Sequence, residues 1–273
     1  MRFRLRCAAA LLGTLAAVTA CSEAPNELAA QPSSRPVSGA GRLDEVLERG
    51  VLRVGTTGDF YLSQLDEKTG ERRGYDIDLT SRLAKDMGVE VEYVATDWPS
   101  LVSGLTSGRY DITTGATYTA ARARAASYTL PTARTGTVAV VRRTDRERFN
   151  AWSAIDGAGV RVAVTQGSIF QEQAHGIASA ASIETVASRS SLHETLLAGR
   201  ADVAITGLVD AAALVSAQDA LVIAPAEPKH ASYMAMLVPP GAHELRAFVD
   251  AWIRSKQHSG YMDELGARWK LGL

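Results

Sequence analysis

Cysteine is nearly missing: the 273-residue chain has two, Cys7 and Cys21. Cys7 lies in an apolar N-terminal run, so the rest of the chain offers no disulfide pair and no thiol cluster for metal or redox chemistry. Packing must supply the stability. The five histidines, His175, His193, His230, His243 and His258, never fall at metal-ligand spacing. No nucleophile elbow and no phosphate-cradling glycine motif appears either. Neither a metal nor an organic cofactor is expected. Charge of one sign is also lacking, with 29 Lys and Arg against 30 Asp and Glu. Nothing in that balance suggests a nucleic-acid partner. There is no fixed-period repeat, and no apolar run beyond the N-terminal one is long enough to span a bilayer.

What is present begins with that N-terminal run. Arg2, Arg4 and Arg6 precede "CAAALLGTLAAV", and "VTAC" closes the segment at Cys21. Residues 1–20 read as a secretion signal. The small residues before Cys21 resemble a bacterial lipobox, which implies lipidation of Cys21, an exported protein, and a membrane tie through that anchor alone. Removal of the three signal arginines leaves 26 basic against 30 acidic residues, a net charge of −4 with histidines neutral. Residues 21–41, rich in Ser, Pro, Ala and Gly without apolar period, read as a flexible tether.

From Arg42 onward helical and strand patterns alternate. "RLDEVLERG" ends at a helix-stopping Gly50, "VLRVGTTG" is a strand, and "DIDLTSRLAKDMG" sets Leu79, Leu83 and Met87 on one helical face before Gly88. "VEVEYVATD" alternates as a strand does. "WPSLVSGLTSG" reads as a helix with Pro99 at its first position, followed by strand "YDITTGA". Further on, "VRVAVTQG" and "ADVAITG" are strands flanking the helix "SLHETLLAGR", opened by a box-like Ser191 and Glu194. The last helix, "HELRAFVDAWIRSKQ", carries one apolar stripe and is stopped by Gly260. Alternation of this kind implies an α/β fold with mostly parallel sheets.

Taken in order, "LERGVLRVGTTGDF", "GYDIDLTSRLAKDMG", "WPSLVSGLTSGRYDITTGATYTAAR" and "GRADVAIT" resemble the family 3 periplasmic solute-binding proteins. Within that scaffold the likeness is greatest to the cyclohexadienyl (prephenate/arogenate) dehydratases. The resemblance implies a type II binding-protein fold of two α/β lobes joined by two crossing strands. By analogy residues 42–139 plus 236–273 form lobe 1 and residues 140–235 form lobe 2. It further implies a monomeric binder that delivers a small carboxylate-bearing solute to an ABC transporter permease, or alternatively a dehydratase.

Residue roles follow from the same resemblance. "GATYTAAR" places Arg122 at the position that grips the ligand carboxylate and Thr117 at a hydroxyl position. An arginine fork suits the task because it donates two parallel bonds to one carboxylate. Arg124, two residues on, points elsewhere if the stretch is helical. In "VTQGSIFQEQA", Gly167 and Ser168 open a helix whose free N–H groups can meet an anion, although Ser168 also suits a cap. Asp59 and Phe60 match the Gly-Asp-aromatic of dehydratase-like members, Asp59 either bonding a ligand hydroxyl or shaping its turn. Trp98 lines the cleft or anchors its helix, with core packing favoured. Tyr118 and Tyr61 are placed to cover an apolar part of a ligand.

Two departures matter. Amino-acid-binding members carry an aspartate where "DVAITG" has Gly207, with Asp210 three residues on as a substitute if the turn is remodelled. The dehydratases depend on a glutamate where this chain offers Gln171, whose amide cannot deliver a proton, with Glu172 one helical step away. Enzyme activity is therefore disfavoured, and a cleft keeping its arginine without those acids is expected to prefer anions.

Overall fold

A computed structural model describes residues 41–59, 62–66, 68–269 and Leu271, all within one compact unit. The expectations for the signal, for the tether as far as residue 40, for Cys21, and for Phe60 and Tyr61 lie outside the described residues. In chain order the elements are α1 (Arg42–Arg49), β1 (Val51–Thr56), the hairpin strands β2 (Gln64–Leu65) and β3 (Arg72–Arg73), α2 (Tyr75–Met87), β4 (Glu90–Ala95), α3 (Leu101–Thr106), β5 (Ile112–Thr113), β6 (Ala116–Thr117), α4 (Ala120–Ala125) and β7 (Ser127–Arg142). They continue with α5 (Trp152–Ile155), β8 (Arg161–Thr165), α6 (Ile169–Ile177), β9 (Ser182–Val186), α7 (Arg189–Leu197), β10 (Val203–Gly207), α8 (Leu208–Ala217), β11 (Leu221–Ile223), β12 (Lys229–Val238), α9 (His243–His258) and α10 (Tyr261–Arg268).

Apart from the small β2–β3 hairpin, the strands form two sheets of a two-lobe α/β protein. One has the order β4–β1–β5 and is parallel throughout. The other has the order β6–β12–β7–β10–β8–β9, with β11 also on β7. It is mixed: β8 runs parallel to β9 and β10, while β7 runs antiparallel to β10, β11 and β12. The mostly parallel arrangement expected from βαβ alternation thus holds for the first sheet only. The reason lies in β7 and β12, which carry the chain one way and then back and so must oppose each other.

Side-chain alternation buries the second sheet on both faces. Val203 and Ile205 of β10 pack with Val162, Val164 and Phe170, while Ala204 faces Val138, Leu192 and Leu196 on the other side. The first sheet packs Leu52 and Val54 against Leu79, Leu83, Leu245, Val249 and Ile253. Gly50 and Gly88 end α1 and α2 in the left-handed conformation, as helix-stopping glycines do.

Three local expectations are corrected. α7 starts at Arg189, where Ser188, not Ser191, accepts the capping bond, from the Ser191 N–H. Pro99 is not at a first helical position, because α3 starts at Leu101 and Trp98–Ser100 form a turn closed by Ser100 N–H donation to Asp97 Oδ1 at 2.8 Å. α9 is not the last helix, since α10 follows Gly260 directly. Among the described residues no helix is long and apolar enough to cross a membrane.

Candidate functional site in the cleft

The segments following the C-terminal ends of β1, β4 and β9 meet around a cleft of ≈ 360 Å³, lined among others by Asp59, Trp98 and Arg189. Trp98 also borders a second cavity of ≈ 320 Å³, together with Pro99, Arg122, Gly167, Ser168 and Glu172. Clefts of open α/β sheets form at such strand ends because the helix N-termini and the loops that follow supply polar groups there.

Arg122 lies on α4, whose start is fixed by Thr119: its hydroxyl accepts the Arg122 N–H at 3.1 Å. The Arg122 side chain is buried, donating Nη1 to the Thr117 carbonyl at 3.1 Å and Nη2 to the Gly167 carbonyl at 3.5 Å. Its guanidinium carbon sits 5.0 Å from the Trp98 ring centre. Among the described residues no carboxylate lies within ion-pair distance of it, although thirteen ion pairs occur elsewhere. Burial accordingly pulls its pKa down, with the Tyr128 hydroxyl acting the other way. Arg124 is exposed. Two residues of helix turn it about 200° from Arg122.

The structure brings a second arginine to Trp98 that sequence reasoning missed. Arg189, the first residue of α7, is as buried as Arg122 and lies 5.1 Å from the Trp98 ring centre and 5.7 Å from that of Phe170. Its Nε is 3.3 Å from Asp59 Oδ1, and Nη1 contacts Asp210 Oδ2. Placing the helix cap at Ser191, three residues late, hid it. With Ser188 recognised as the cap, a cation at the first helical position, opposing the helix dipole, is a local conflict that marks a site.

Asp210 also explains Gly207. A Cβ on Gly207 would come within 3.0 Å of Asp210 Oδ2 and 2.9 Å of Phe170 Cζ. The space above the end of β10 is thus filled by a carboxylate reaching in from α8, the Asp210 alternative that the sequence leaves open. A further carboxylate is Asp76 of α2, which the sequence pattern marks only as part of a helix. It is fully buried, accepts the Gly115 N–H at 3.2 Å, and has its pKa pushed up to about 7. Burial is the main cause, Gly115 and Arg189 opposing it and Asp59 adding to it. Three buried acids and two buried arginines therefore share the cleft region, and the anion preference inferred from missing carboxylates does not follow from this charge balance.

The remaining candidates fall as follows. Asp59 both shapes its turn, accepting from Thr57 Oγ1 at 2.8 Å, and faces Arg189. Trp98 is buried, and its Nε1 has no hydrogen-bond partner among the described residues. Thr117 is buried on β6, its carbonyl shared by Arg122 and the Tyr128 hydroxyl. Gly167, in the left-handed region at φ 68°, packs where a Cβ would lie 2.8 Å from Pro99 Cδ. Its N–H is taken by Gln171 Oε1 at 2.8 Å, and the Ser168 N–H donates to the Thr165 carbonyl at 3.3 Å. The anion clamp expected of these two amides is thus already satisfied internally, and the Ser168 hydroxyl likewise donates to Thr165. Glu172 is exposed at the rim of the second cavity. Tyr118 is exposed, with its ring 5.2 Å from that of Tyr128. Among the described residues no His, Cys, Asp and Glu cluster is arranged to hold a metal.

Residues 52–272 match the family described as bacterial extracellular solute-binding proteins, family 3. The chain belongs to that family. The match spans all the cleft residues named above. Cyclohexadienyl dehydratase of Pseudomonas aeruginosa is 28% identical over 230 residues, 84% of this chain and 85% of that protein. The L-cystine-binding protein TcyJ of Escherichia coli is 24% identical over 243 residues, 89% of this chain and 91% of that one. Among solved structures, the ancestral amino acid-binding protein AncCDT-1, a precursor of cyclohexadienyl dehydratase, superposes with a TM-score of 0.78 at 30% identity, covering 83% of this chain and 98% of its own. Family 3 relatives of this chain thus include an enzyme and solute binders on one scaffold.

Proposed function

We propose that the protein is an extracytoplasmic solute-binding protein of an ABC importer, taking a small carboxylate-bearing solute, amino-acid-like or an organic acid, into the cleft around Trp98. The observation that carries this reading is Arg122, a buried guanidinium with no acidic partner among the described residues. A desolvated cation is costly when left unpaired, and a ligand carboxylate gripped by the fork would offset that cost. The lobes are taken as 42–139 plus 236–273 and 140–235, closing over the solute as a monomer. Asp59, Trp98 and Arg122 come from one side, and Gly167, Arg189 and Asp210 from the other. Contacts made only when both sides engage favour the closed state, which a permease then recognises. Export with lipidation at Cys21 is part of the same proposal. Acyl labelling abolished by Cys21→Ala supports it, and absence of labelling in the wild type rejects it.

The decisive measurement is a thermal-shift screen of small carboxylates, with prephenate included. A bound solute raises Tm by mass action, and Arg122→Ala should remove that rise. Failure of every carboxylate to shift Tm sinks the proposal. The similarity to a dehydratase makes prephenate turnover the second reading. Against it, Gln171 is engaged with Gly167 and Glu172 is exposed, so neither offers the desolvated carboxyl that general acid catalysis favours. Phenylpyruvate formed from prephenate above the uncatalysed rate would establish it.

A further inference from the structure

Two carboxylates and two aromatic faces converging on one point form a recognition site for a guanidinium or ammonium group. Asp59, Asp210, Trp98 and Phe170 are arranged in this way, and the group at their centre is the chain's own Arg189. We propose that Arg189 is the resident cation of the cleft: it fills a cage built for a cation, so the site refuses cationic solutes and is left to carboxylate-bearing ones without a basic side group. This deepens the solute-binding reading and rests on it.

Three observations support the assignment. Arg189 stands at the first position of α7, where the helix dipole disfavours a positive charge, so its place there is not a helix-stabilising one. It also bridges two parts of the chain that the sheets hold apart, Asp59 following β1 and Asp210 on α8. The fit is incomplete. Arg189 Nε lies 3.3 Å from Asp59 Oδ1 without hydrogen-bond alignment, and Asp210 Oδ1 and Trp98 Nε1 are buried with no hydrogen-bond partner among the described residues. A cage with polar atoms left over accommodates Arg189 without being completed by it. With Arg189 removed, Asp59 and Asp210 would lose the cation held between them, beside the ≈ 360 Å³ cleft that Asp59, Trp98 and Arg189 now line.

The test uses Arg189→Ala and two probes, methylguanidinium and L-arginine, in thermal shift and calorimetry. Methylguanidinium should raise the Tm of Arg189→Ala and leave the wild type unmoved. L-arginine should bind the variant about tenfold or more tighter than the wild type, the scale of one charge-assisted pair. Adding Asp210→Asn to the variant should remove the methylguanidinium response. If Arg189→Ala does not fold unaided, methylguanidinium present during refolding should recover it. The proposal is overturned if the wild type binds L-arginine as tightly as the variant, or if the variant neither responds to methylguanidinium nor refolds with it. Methylguanidinium carries no carboxylate and does not use Arg122, so this outcome is independent of whether the carboxylate screen on the wild type succeeds.

Discussion

The two sheets carry the same bracket at the same place and diverge just beyond it. Gly108-Arg109-Tyr110-Asp111 leads into β5, where Asp111 Oδ2 accepts the Arg53 N–H at 2.9 Å and the Asp111 N–H returns to the Arg53 carbonyl at 2.9 Å. Gly199-Arg200-Ala201-Asp202 leads into β10, and Asp202 makes the same exchange with Arg161 at 3.0 and 2.9 Å. Both brackets tie the incoming strand to its parallel neighbour, β5 to β1 and β10 to β8. Past them, β5 continues through Gly115 and Thr117 to the buried Arg122, whereas β10 ends at Gly207 and the buried Asp210. What the halves share is scaffold, and what distinguishes them is the set of buried charges each delivers to the cleft: Asp59, Asp76 and Arg122 from the first, Arg189 and Asp210 from the second.

The brackets also differ in how much rests on them. Asp111 is fully buried, with Arg42, Arg49 and Arg53 around it, and β5 has only two residues. Asp202 is served by Arg161 and Arg142 beside a five-residue strand with exposed Arg161. Asp111→Ala should therefore cost about 3–5 kcal/mol, the range for breaking a buried ion pair, and Asp202→Ala distinctly less. Urea midpoints of the two variants measure this, and equal losses would erase the asymmetry.

Arg122→Ala should weaken solute binding by about 2–4 kcal/mol, as for truncating one side of a buried charge pair, while Arg124→Ala leaves it unchanged. Calorimetry with whichever carboxylate the screen finds makes the comparison. An equal loss in both variants would contradict the different places the structure assigns them.

Asp76 gives a pH signature belonging to the first half alone. Its folded pKa of about 7 lies above the ordinary carboxylate value, so the folded state holds the proton more tightly than the unfolded one. Its contribution is fully present below about pH 4 and is lost as pH rises through about 7. Asp76→Asn, which retains an oxygen for Gly115, should flatten the fall of Tm over that window. Each kcal/mol recovered is worth about 2–4 °C in a domain of this size. An unchanged pH profile would show that Asp76 is not the group responsible.

The smallest effect concerns the start of α7. Ser188→Ala should cost about 1 kcal/mol, and Ser191→Ala close to nothing, since Ser188 holds the cap. Reversed values would move the helix start, and with it Arg189.

Short-range patterns were readable where one helical face or one strand decides burial. Leu79, Leu83 and Met87 of α2 are buried as their spacing predicts, and so are Leu245, Val249, Trp252 and Ile253 of the α9 stripe, whose fifth member, Phe248, is half-buried. Arg122 could be singled out from Arg124 because a motif match and about half a helical turn separate them. Asp76 gave no such signal, sitting in an ordinary amphipathic helix with nothing local to say that another element covers it, and Arg189 stands out only once Ser188 is taken as the cap.

By itself, then, the sequence determined the alternation of strands and helices, their stops, the family and one cleft arginine, because these depend on residues within a few turns of each other. Only the tertiary structure decided that Gly207 makes room for Asp210, that Gln171 occupies the Gly167 amide, and that Arg189 stands between Asp59 and Asp210. The cost of a buried charge is set by partners far away in the chain, and those partners meet only when the sheets have formed.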